Sequence, residues 1–180
     1  MIIQIRGTSG SGKSTVIREV MDSIDEGGCW ESRFKEGRKQ PLYYRHVNGR
    51  VAVLGHYESP SGGCDTIGSA RAVFELLQDV KAPIILCEGL LLSEDTKWSS
   101  LLKNLRVIFL TTSLERCLNQ IQERRKKVGN DKPLNPSNTS NRVEVIERAR
   151  RKLAIIEGIR CVRCSSEQAP NLILKWIKER

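Results

Sequence analysis

Residues 7–14 are the most constraining feature of the chain, because Gly-Thr-Ser-Gly-Ser-Gly-Lys-Ser matches the pattern G-x-x-x-x-G-K-[ST] in full. The apolar residues of segment 2–5 predict a short strand before this motif, and those of segment 14–24 have helical spacing after it. Glycines between a strand and a helix let backbone N–H groups point inward around an anion, at the positive end of the helix dipole. The sequence therefore predicts a phosphate-binding loop rather than an ordinary glycine-rich turn.

A nucleotide held in such a loop assigns roles to two of its side chains. Lys13 is expected to reach the β- and γ-phosphates, and the Ser14 hydroxyl is expected to ligate Mg²⁺. The residues expected to bind the nucleotide are Gly7, Thr8, Ser9, Gly10, Ser11, Gly12, Lys13, Ser14 and Thr15. The motif alone leaves open whether the phosphate passes to water or to an acceptor hydroxyl.

Length and charge narrow the class of protein. The 180 residues fit one domain, and 39% hydrophobic with 28% charged residues exclude a disordered or fibrous chain. No segment is long and apolar enough to cross a bilayer, and segment 1–6 turns polar too early for a secretory signal, so we expect a cytoplasmic protein with no membrane partner. Thirty Lys and Arg residues against 21 Asp and Glu residues give a net charge of +9, which favours nucleic acid or nucleotides as partners.

Predicted strands alternate with predicted helices along the chain. Two β-prone runs, 42–47 and 50–54, flank Asn48-Gly49 and predict a β-hairpin in which both turn residues have positive φ. Later strands are predicted over 83–87, 105–110 and 159–162, and helices over 69–80, 113–125 and 143–156. Ser165 and Gln168 predict a capping box at the start of a last helix.

This order of elements predicts an α/β fold of the P-loop NTPase class. We expect one domain over residues 1–180, with three α/β/α layers, a mainly parallel five-stranded sheet and a β-hairpin. Residues 25–40 have no convincing period and are interpreted as a mobile insertion. Residues 124–142 are interpreted as a lid, with an irregular loop over 126–141 that is interrupted by glycine and proline.

Two carboxylates are candidates for chemistry beside the phosphates. Glu88 ends a continuously apolar strand and occupies the place of the Walker B carboxylate, which holds the Mg²⁺ hydration shell or activates a hydroxyl; the alternative is a solvated charge at a strand end. Asp65 lies in a glycine-rich loop after the hairpin strand, which we expect to lie beside the first strand. Asp65 is the candidate general base, and its alternative role is an N-cap of the following helix.

Two arginines at the end of a predicted helix are candidates for neutralising charge during transfer. Arg124 and Arg125 precede the predicted lid loop and could close over the phosphates. The alternative is a simple interaction with the negative end of the helix dipole.

The six cysteines are expected to be reduced thiols. Cys161 and Cys164 have CxxC spacing, but no second ligand pair lies nearby and the chain has only two histidines. Because a structural zinc site requires four ligands, the spacing disfavours zinc.

The chain resembles small P-loop kinases, a broad group that includes nucleoside, nucleotide, shikimate and polynucleotide kinases. The resemblance spans nearly the whole chain and rests on the loop at 7–14, on Glu88-Gly89, and on the run 107–113 before the helix that ends in Arg124-Arg125. More narrowly, segments 5–15, 55–57 and 62–67 are similar to bacteriophage kinases that phosphorylate 5-hydroxymethyluracil in DNA. This resemblance implies ATP as donor, Mg²⁺ as cofactor and a pyrimidine hydroxymethyl group as acceptor. Glu88 stands where many Walker B strands carry aspartate.

An acceptor base within DNA requires a surface that contacts the DNA backbone. The candidates are the basic residues of the predicted insertion and hairpin: Arg33, Lys35, Arg38, Lys39, Arg45 and Arg50. Trp30, Tyr43 and Tyr44 lie among them and are candidate stacking platforms. The alternative for the whole set is a solvated charged face.

The leading hypothesis is an ATP-dependent kinase that transfers the γ-phosphate to a hydroxyl of DNA, most specifically to 5-hydroxymethyluracil. The alternative is a kinase of a free nucleoside, a nucleotide, a 5′-hydroxyl polynucleotide or a small metabolite. A second alternative is a nucleotide-binding regulatory module without transfer activity. The absence of an N-K-x-D sequence weighs against a GTPase.

Overall fold

Short apolar segments form the strands of one sheet in the computed structural model, which describes residues 1–24, 29–59, 62–130 and 133–180. The strands are β1 Ile2–Arg6, β2 Trp30–Arg33, β3 Tyr43–His46, β4 Val51–Leu54, β5 Ile84–Glu88, β6 Leu105–Leu110 and β7 Ile159–Cys164. The helices are α1 Lys13–Ile24, α2 Ala70–Asp79, α3 Leu90–Glu94, α4 Leu114–Lys127, α5 Pro136–Ala154 and α6 Ala169–Lys178. Short 3₁₀ turns span Cys64–Ile67 and Ser99–Leu101.

The strand order across the sheet is β2-β3-β4-β5-β1-β6-β7. The five strands from β4 to β7 pair in parallel, and β2 and β3 extend one edge by antiparallel pairing. The predicted five-stranded parallel core is therefore confirmed. The expectation that the hairpin strand lies beside the first strand is wrong, because β5 lies between β4 and β1. This order brings the end of β5, rather than that of β4, next to the end of β1.

Helices cover both faces of the sheet. Successive residues of β4 pack into apolar clusters on opposite faces of the sheet. Val51 and Val53 belong to the first cluster, and Ala52 and Leu54 belong to the second. On the first face, α1 and α6 cover β1 through Ile3, Ile5, Val16, Ile17, Val20, Ile173 and Trp176. On the second face, α2, α3 and α5 contribute Val73, Leu77, Leu92, Ile146 and Leu153. Each fully buried aliphatic side chain stabilises the fold by about 1.5–3 kcal/mol, so both layers hold the sheet.

The predicted insertion 25–40 is only partly irregular. Residues 25–28 lie outside the described residues, but Trp30–Arg33 forms β2 and pairs antiparallel with β3. The prediction of an irregular segment is wrong for these four residues. The strand is an edge strand with a mostly exposed, charged sequence, so it lacks the apolar alternation that identifies strands.

The predicted hairpin is confirmed, but its turn differs from the expected one. Four residues, 47–50, connect β3 to β4, and among the described residues of this turn only Gly49 has positive φ, at 70°. Gly49 N–H donates to the His46 carbonyl, at 2.8 Å, and the Asn48 side chain accepts from Arg50 N–H, at 2.9 Å. Asn48 therefore stabilises the turn through its side chain, in an Asx-type arrangement.

The predicted lid loop is largely helical. Helix α4 continues to Lys127 and α5 begins at Pro136, seven residues before the predicted start at 143. Asn135 caps α5 by accepting a hydrogen bond from the N–H of Ser137, at 3.0 Å. Pro136 occupies the first helical turn, where its missing N–H costs nothing, so it starts the helix rather than breaking one. The expectation of an irregular segment over 126–141 is thus wrong for residues 126–127 and 136–141, which are helical. Residues 128–130 and 133–135 are irregular, and residues 131–132 lie outside the described residues.

Three predicted helix starts are confirmed by their caps. The hydroxyls of Ser69 and Ser113 each accept from the backbone N–H three residues later, at the starts of α2 and α4. Ser165 and Gln168 exchange two hydrogen bonds, of 3.2 and 3.3 Å, before α6. These reciprocal bonds are those of a capping box.

The CxxC pair cannot act as two ligands of one metal ion. Cys161 packs with one apolar cluster and Cys164 with the other, because residues three apart on β7 point to opposite faces of the sheet. Within the described ranges, no group of three or more His, Cys, Asp or Glu residues is arranged to hold a metal ion. Over the same ranges, no helix has the length and apolar character needed to span a membrane.

A buried arginine crosses the second face of the sheet behind the end of β1. Arg6 is fully buried and donates to the side chains of Gln4 and Ser99, at 2.6 and 2.5 Å, and to the carbonyl of Asp95, at 2.5 Å. Burial lowers the pKa of Arg6 to about 10, and Asp95 opposes this shift. The network ties the residue before the phosphate-binding loop to the segment after α3.

Arg6→Ala is expected to destabilise the protein by about 3 kcal/mol, because it leaves buried acceptors without their donor. Urea denaturation of the purified protein measures this change. Arg71→Ala is the matched control, since Arg71 is exposed, pairs with Glu75 and lies over the Trp98 ring, so its loss costs about 1 kcal/mol or less. Equal costs for the two variants would contradict a structural role for the buried network.

Candidate active site

The loop between β1 and α1 packs closely against the first turn of α4. Gly10 has φ of 74°, and a Cβ there would lie 2.3 Å from the carbonyl oxygen of Cys117. Only glycine fits this position. The neighbouring Ser11 carbonyl accepts a hydrogen bond from the Thr112 hydroxyl, at 2.8 Å, which fixes the outer side of the loop. The predicted loop thus has the backbone shape and supports of a rigid anion-binding turn.

Lys13 is buried at the base of the loop. Its ammonium group donates to the carbonyls of Gly7 and Thr8, both at 2.9 Å. Burial lowers the pKa of Lys13, while the nearby carboxylates of Glu88 and Asp65 oppose this shift. Thr8 Oγ1 and Ser11 Oγ are also buried and have no hydrogen-bond partner among the described residues. Ser11 also lines the cavity described below, whereas Thr8 does not.

Glu88 lies directly across from the loop. The register pairs it with Ile5, and its Oε1 accepts a hydrogen bond of 2.8 Å from the Ser14 hydroxyl. Burial raises the pKa of Glu88, and Lys13 and Ser14 act against this rise. Gly63, with φ of 69°, approaches so closely that a Cβ there would lie 2.2 Å from Glu88 Oε1. Glu88 is therefore a buried carboxylate within the loop's reach, and the alternative of a solvated charge is wrong.

Asp65 lies in the 3₁₀ turn after β4 and holds the start of α3. Its two carboxylate oxygens accept hydrogen bonds from Leu90 N–H and Leu91 N–H, at 2.9 and 3.0 Å. Helix α2, which follows Asp65 in the chain, is capped by Ser69 instead. The alternative role as a cap of the following helix is therefore wrong. The side chain is exposed and each oxygen retains a lone pair for a further donor.

These groups line one cavity of about 430 Å³. The structure brings together four of the five predicted catalytic residues on its walls: Lys13, Asp65, Glu88 and Arg124. Arg125 is not among the lining residues, and its Nη1 donates to the Pro133 carbonyl in the α4–α5 connection, at 3.4 Å. The predicted loop residues Ser9, Gly10, Ser11, Gly12, Lys13, Ser14 and Thr15 also line the cavity.

Several lining residues were not predicted from the sequence: Arg18, Gly62, Thr66, Leu90 and Gln120. Arg18 is the most informative of these, because its guanidinium donates to the carbonyls of Tyr57 and Ser59, at 3.1 and 2.6 Å. It lies one helical turn after Ser14, on the same face of α1. This i, i+4 spacing is the signal that could have identified it. Gln120 has the same relation to Arg124 on α4.

The basic residues predicted to contact DNA have different surroundings. Arg33 forms an ion pair with Glu31, and β3 places Arg45 opposite the same glutamate. Arg38 donates to the carbonyls of Thr66, at 2.7 Å, and Gln40, at 2.9 Å, and so anchors a loop at the cavity. The remaining three are exposed: Lys35, Lys39 and Arg50. Of the aromatic residues among them, Tyr44 is buried and Trp30 and Tyr43 are half-buried.

Glu88→Gln is expected to stabilise the ligand-free protein around neutral pH. Because the pKa of Glu88 is raised, the folded protein binds more protons than the unfolded chain between pH 4.5 and the folded pKa, so the free energy of unfolding falls as the pH rises through that range. Glu88→Gln removes this cost. The ligand-free variant should therefore resist urea better than the wild type around neutral pH, with the difference disappearing below pH 4.5.

Urea titrations at several pH values measure this effect, with Glu144→Gln, at an exposed position of α5, as the matched control. A Glu88→Gln protein that is less stable than the wild type at every pH would contradict the account of a strained buried carboxylate.

Comparison with known proteins identifies the family. A Pseudomonas phage PaMx11 protein named 5-hmdU DNA kinase is 40% identical over an alignment of 149 residues, which covers 77% of this chain and 77% of that protein. A protein of the same name from Pseudomonas phage M6 is 30% identical over 172 residues, covering 87% of this chain and 86% of that protein. No family model matches the chain.

A solved deoxyadenosine kinase from M. mycoides covers 100% of both chains, with a TM-score of 0.54 and 17% identity. At this identity the likeness shows the fold alone, and it confirms the predicted P-loop NTPase class. Because both phage relatives match over most of their length, the kinase assignment rests on them. The chain belongs to the family of 5-hmdU DNA kinases.

Proposed function

We propose that this protein transfers the γ-phosphate of ATP to the hydroxymethyl group of 5-hydroxymethyluracil in DNA. The observation that carries the proposal is the shared cavity, in which the loop lysine, the Ser14–Glu88 pair and the exposed Asp65 face one space. The names of the two phage relatives support the choice of acceptor.

The loop residues would hold the donor. Lys13 exchanges its bonds to the Gly7 and Thr8 carbonyls for bonds to the β- and γ-phosphates, and the backbone amides of residues 9–14 surround the phosphate chain. Binding therefore replaces the neutral carbonyl acceptors of Lys13 with charged phosphate oxygens, which form stronger hydrogen bonds.

The Ser14 hydroxyl and the Glu88 carboxylate fit Mg²⁺, which prefers hard oxygen ligands and keeps several of its waters. Ser14 would bind the ion directly, and Glu88 would hold its water shell. The chemistry that Mg²⁺ supplies when bound is neutralisation of charge on the β- and γ-phosphates.

Asp65 is proposed as the general base. The acceptor oxygen bonds to the γ-phosphorus while the bond from that phosphorus to the β–γ bridging oxygen breaks, so ADP leaves with the electron pair. The hydroxyl proton passes to the Asp65 carboxylate. Glu88 is less suited to this task because it is buried and, beside Ser14, is proposed to hold the water shell of Mg²⁺. Lys13 and Arg124 stabilise the charge on the transferring group, and Arg125 holds the α4–α5 connection.

The exposed basic residues around the hairpin are proposed to contact the DNA backbone. Lys35, Lys39 and Arg50 are exposed to solvent. Near them, Arg33 forms an ion pair with Glu31, and Arg45 lies opposite Glu31 on the neighbouring strand. Arg38 is committed to the loop at Thr66 and supports the site instead. Backbone contacts of this kind make binding weaken as salt rises.

Lys13→Ala and Ser14→Ala are each expected to reduce transfer below detection, because each removes a group that contacts the triphosphate or its metal. The measurement uses labelled ATP with four acceptors: DNA containing 5-hydroxymethyluracil, unmodified DNA, 5′-hydroxyl oligonucleotides and free nucleosides. Ser23→Ala and Lys97→Ala, at exposed positions outside the cavity, are the controls. Label that enters free nucleosides and never enters DNA would overturn the proposed acceptor.

Asp65→Asn is expected to slow transfer by about 10²-fold, because the amide cannot accept the proton. The KM for ATP should remain unchanged, since the proposed role involves only the acceptor. Single-turnover transfer and ATP titration measure the two quantities. An unchanged transfer rate would remove Asp65 as the base and leave Glu88 in that role.

A further inference from the structure

A second cavity shares the Arg18 side chain with the phosphate-binding cavity. It has a volume of about 260 Å³, and we call it the aromatic pocket; its lining residues are Arg18, Met21, Asp22, Trp30, Tyr44, Tyr57 and Glu58. Sites for drug-sized ligands have volumes of about 300–1,000 Å³, so the aromatic pocket suits a single heterocyclic ring. Arg18 lies between this space and the loop that would hold the donor phosphates.

The aromatic walls of the pocket are held in fixed orientations. The Trp30 indole N–H donates to the Met21 carbonyl, at 3.3 Å, and the ring meets His46 edge-on at 5.1 Å and 80°. The Tyr44 and Tyr57 rings lie 6.2 Å apart. Aromatic side chains that cannot rotate freely lose little entropy when a flat ring stacks on them.

The polar groups of the pocket are also positioned. The Tyr44 hydroxyl donates to Glu58 Oε1, at 3.2 Å, and accepts from Tyr57 N–H, at 3.3 Å. The bonds from Arg18 to the Tyr57 and Ser59 carbonyls hold its guanidinium beside the same segment. The pocket therefore offers a carboxylate that accepts and a guanidinium that donates, next to apolar walls. This pattern fits a ring edge on which an N–H lies beside a carbonyl oxygen.

We propose that the aromatic pocket binds the 5-hydroxymethyluracil base after it has left the DNA stack, with Glu58 accepting from N3–H and Arg18 donating to O4. The inference rests on the proposed function and identifies where its acceptor lies. The ring carbon that carries the hydroxymethyl group adjoins the carbon that carries O4. A base whose O4 faces Arg18 therefore directs its hydroxymethyl group past Arg18, toward the cavity that holds Asp65 and the γ-phosphate.

This arrangement makes the pocket selective for uracil over cytosine. A cytosine ring presents an N–H₂ donor where uracil has O4, and an unprotonated nitrogen where uracil has N3–H. The first group faces the Arg18 donor and the second faces the Glu58 carboxylate, so both contacts become repulsive. Extruded bases are commonly recognised by such hydrogen bonds together with aromatic stacking.

Glu58→Gln tests the proposal, because a glutamine amide can turn to accept from uracil N3–H or to donate to cytosine N3. Glu58 is exposed, so the variant is expected to fold. Single-turnover transfer is measured on matched duplexes that contain 5-hydroxymethyluracil or 5-hydroxymethylcytosine. The wild type should prefer uracil by about ten-fold or more, and Glu58→Gln should reduce that ratio about ten-fold. The KM for ATP should not change.

The matched control is Glu75→Gln on α2, an exposed carboxylate outside both cavities, which should keep the wild-type ratio. A wild type that phosphorylates 5-hydroxymethyluracil DNA while Glu58→Gln keeps its full selectivity overturns the pocket and leaves the proposed function intact. A wild type that phosphorylates neither duplex overturns the proposed function itself.

Cross-linking provides a readout without catalysis: an oligonucleotide with 5-iodouracil at the target position should attach to Trp30, Tyr44 or Tyr57. Attachment only at other residues also overturns the pocket.

Discussion

The hydrogen bond from Ser14 to Glu88 joins the first turn of α1 to the end of β5, and the candidate site is organised around it. Parallel pairing of β1 with β5 brings Glu88 level with Ile5, two residues before the loop begins. A carboxylate buried at this depth is costly, and the cost is tolerable because Ser14 donates to it and Lys13 lies nearby. The same two side chains are those that a bound triphosphate and its metal would engage.

The loop is held in place by polar contacts from behind and from the side. Gly7 N–H donates to Ser93 Oγ, at 3.1 Å, so α3 supports the start of the loop. Asp65 caps that same helix, which couples the proposed base to the wall of the donor site. The buried Arg6 network ties the strand before the loop to the segment after α3. Site residues on rigid supports keep the distances that phosphoryl transfer requires.

Short sequence patterns predicted the features that depend on interactions between residues close together in the chain. The loop motif, the apolar strands, the Ser113 cap and the Ser165–Gln168 capping box were identified, because each has a short-range signal. The start of α5 was missed because Pro136 was interpreted as part of a loop, although asparagine followed by proline favours a helix start. Strand β2 was missed because an exposed edge strand has no apolar alternation.

Contacts between distant segments had no signal in the sequence. The insertion of β5 between β4 and β1 is a property of topology, and it decides which carboxylate meets Ser14. The bonds from Asp65 to the start of α3, and those from Arg18 to the segment after β4, join residues 25 or more positions apart. The sequence identified Asp65 as a candidate site residue and did not identify Arg18. The hydrogen-bond partners of both side chains are determined by the fold.

The most direct test of the account is a crystal structure of the protein with a non-hydrolysable ATP analogue and Mg²⁺. The account predicts that the triphosphate lies within the loop, that Lys13 Nζ leaves the Gly7 and Thr8 carbonyls for phosphate oxygens, and that Ser14 and Glu88 face the metal. A nucleotide bound elsewhere, with the ammonium of Lys13 still on the two carbonyls, would contradict it.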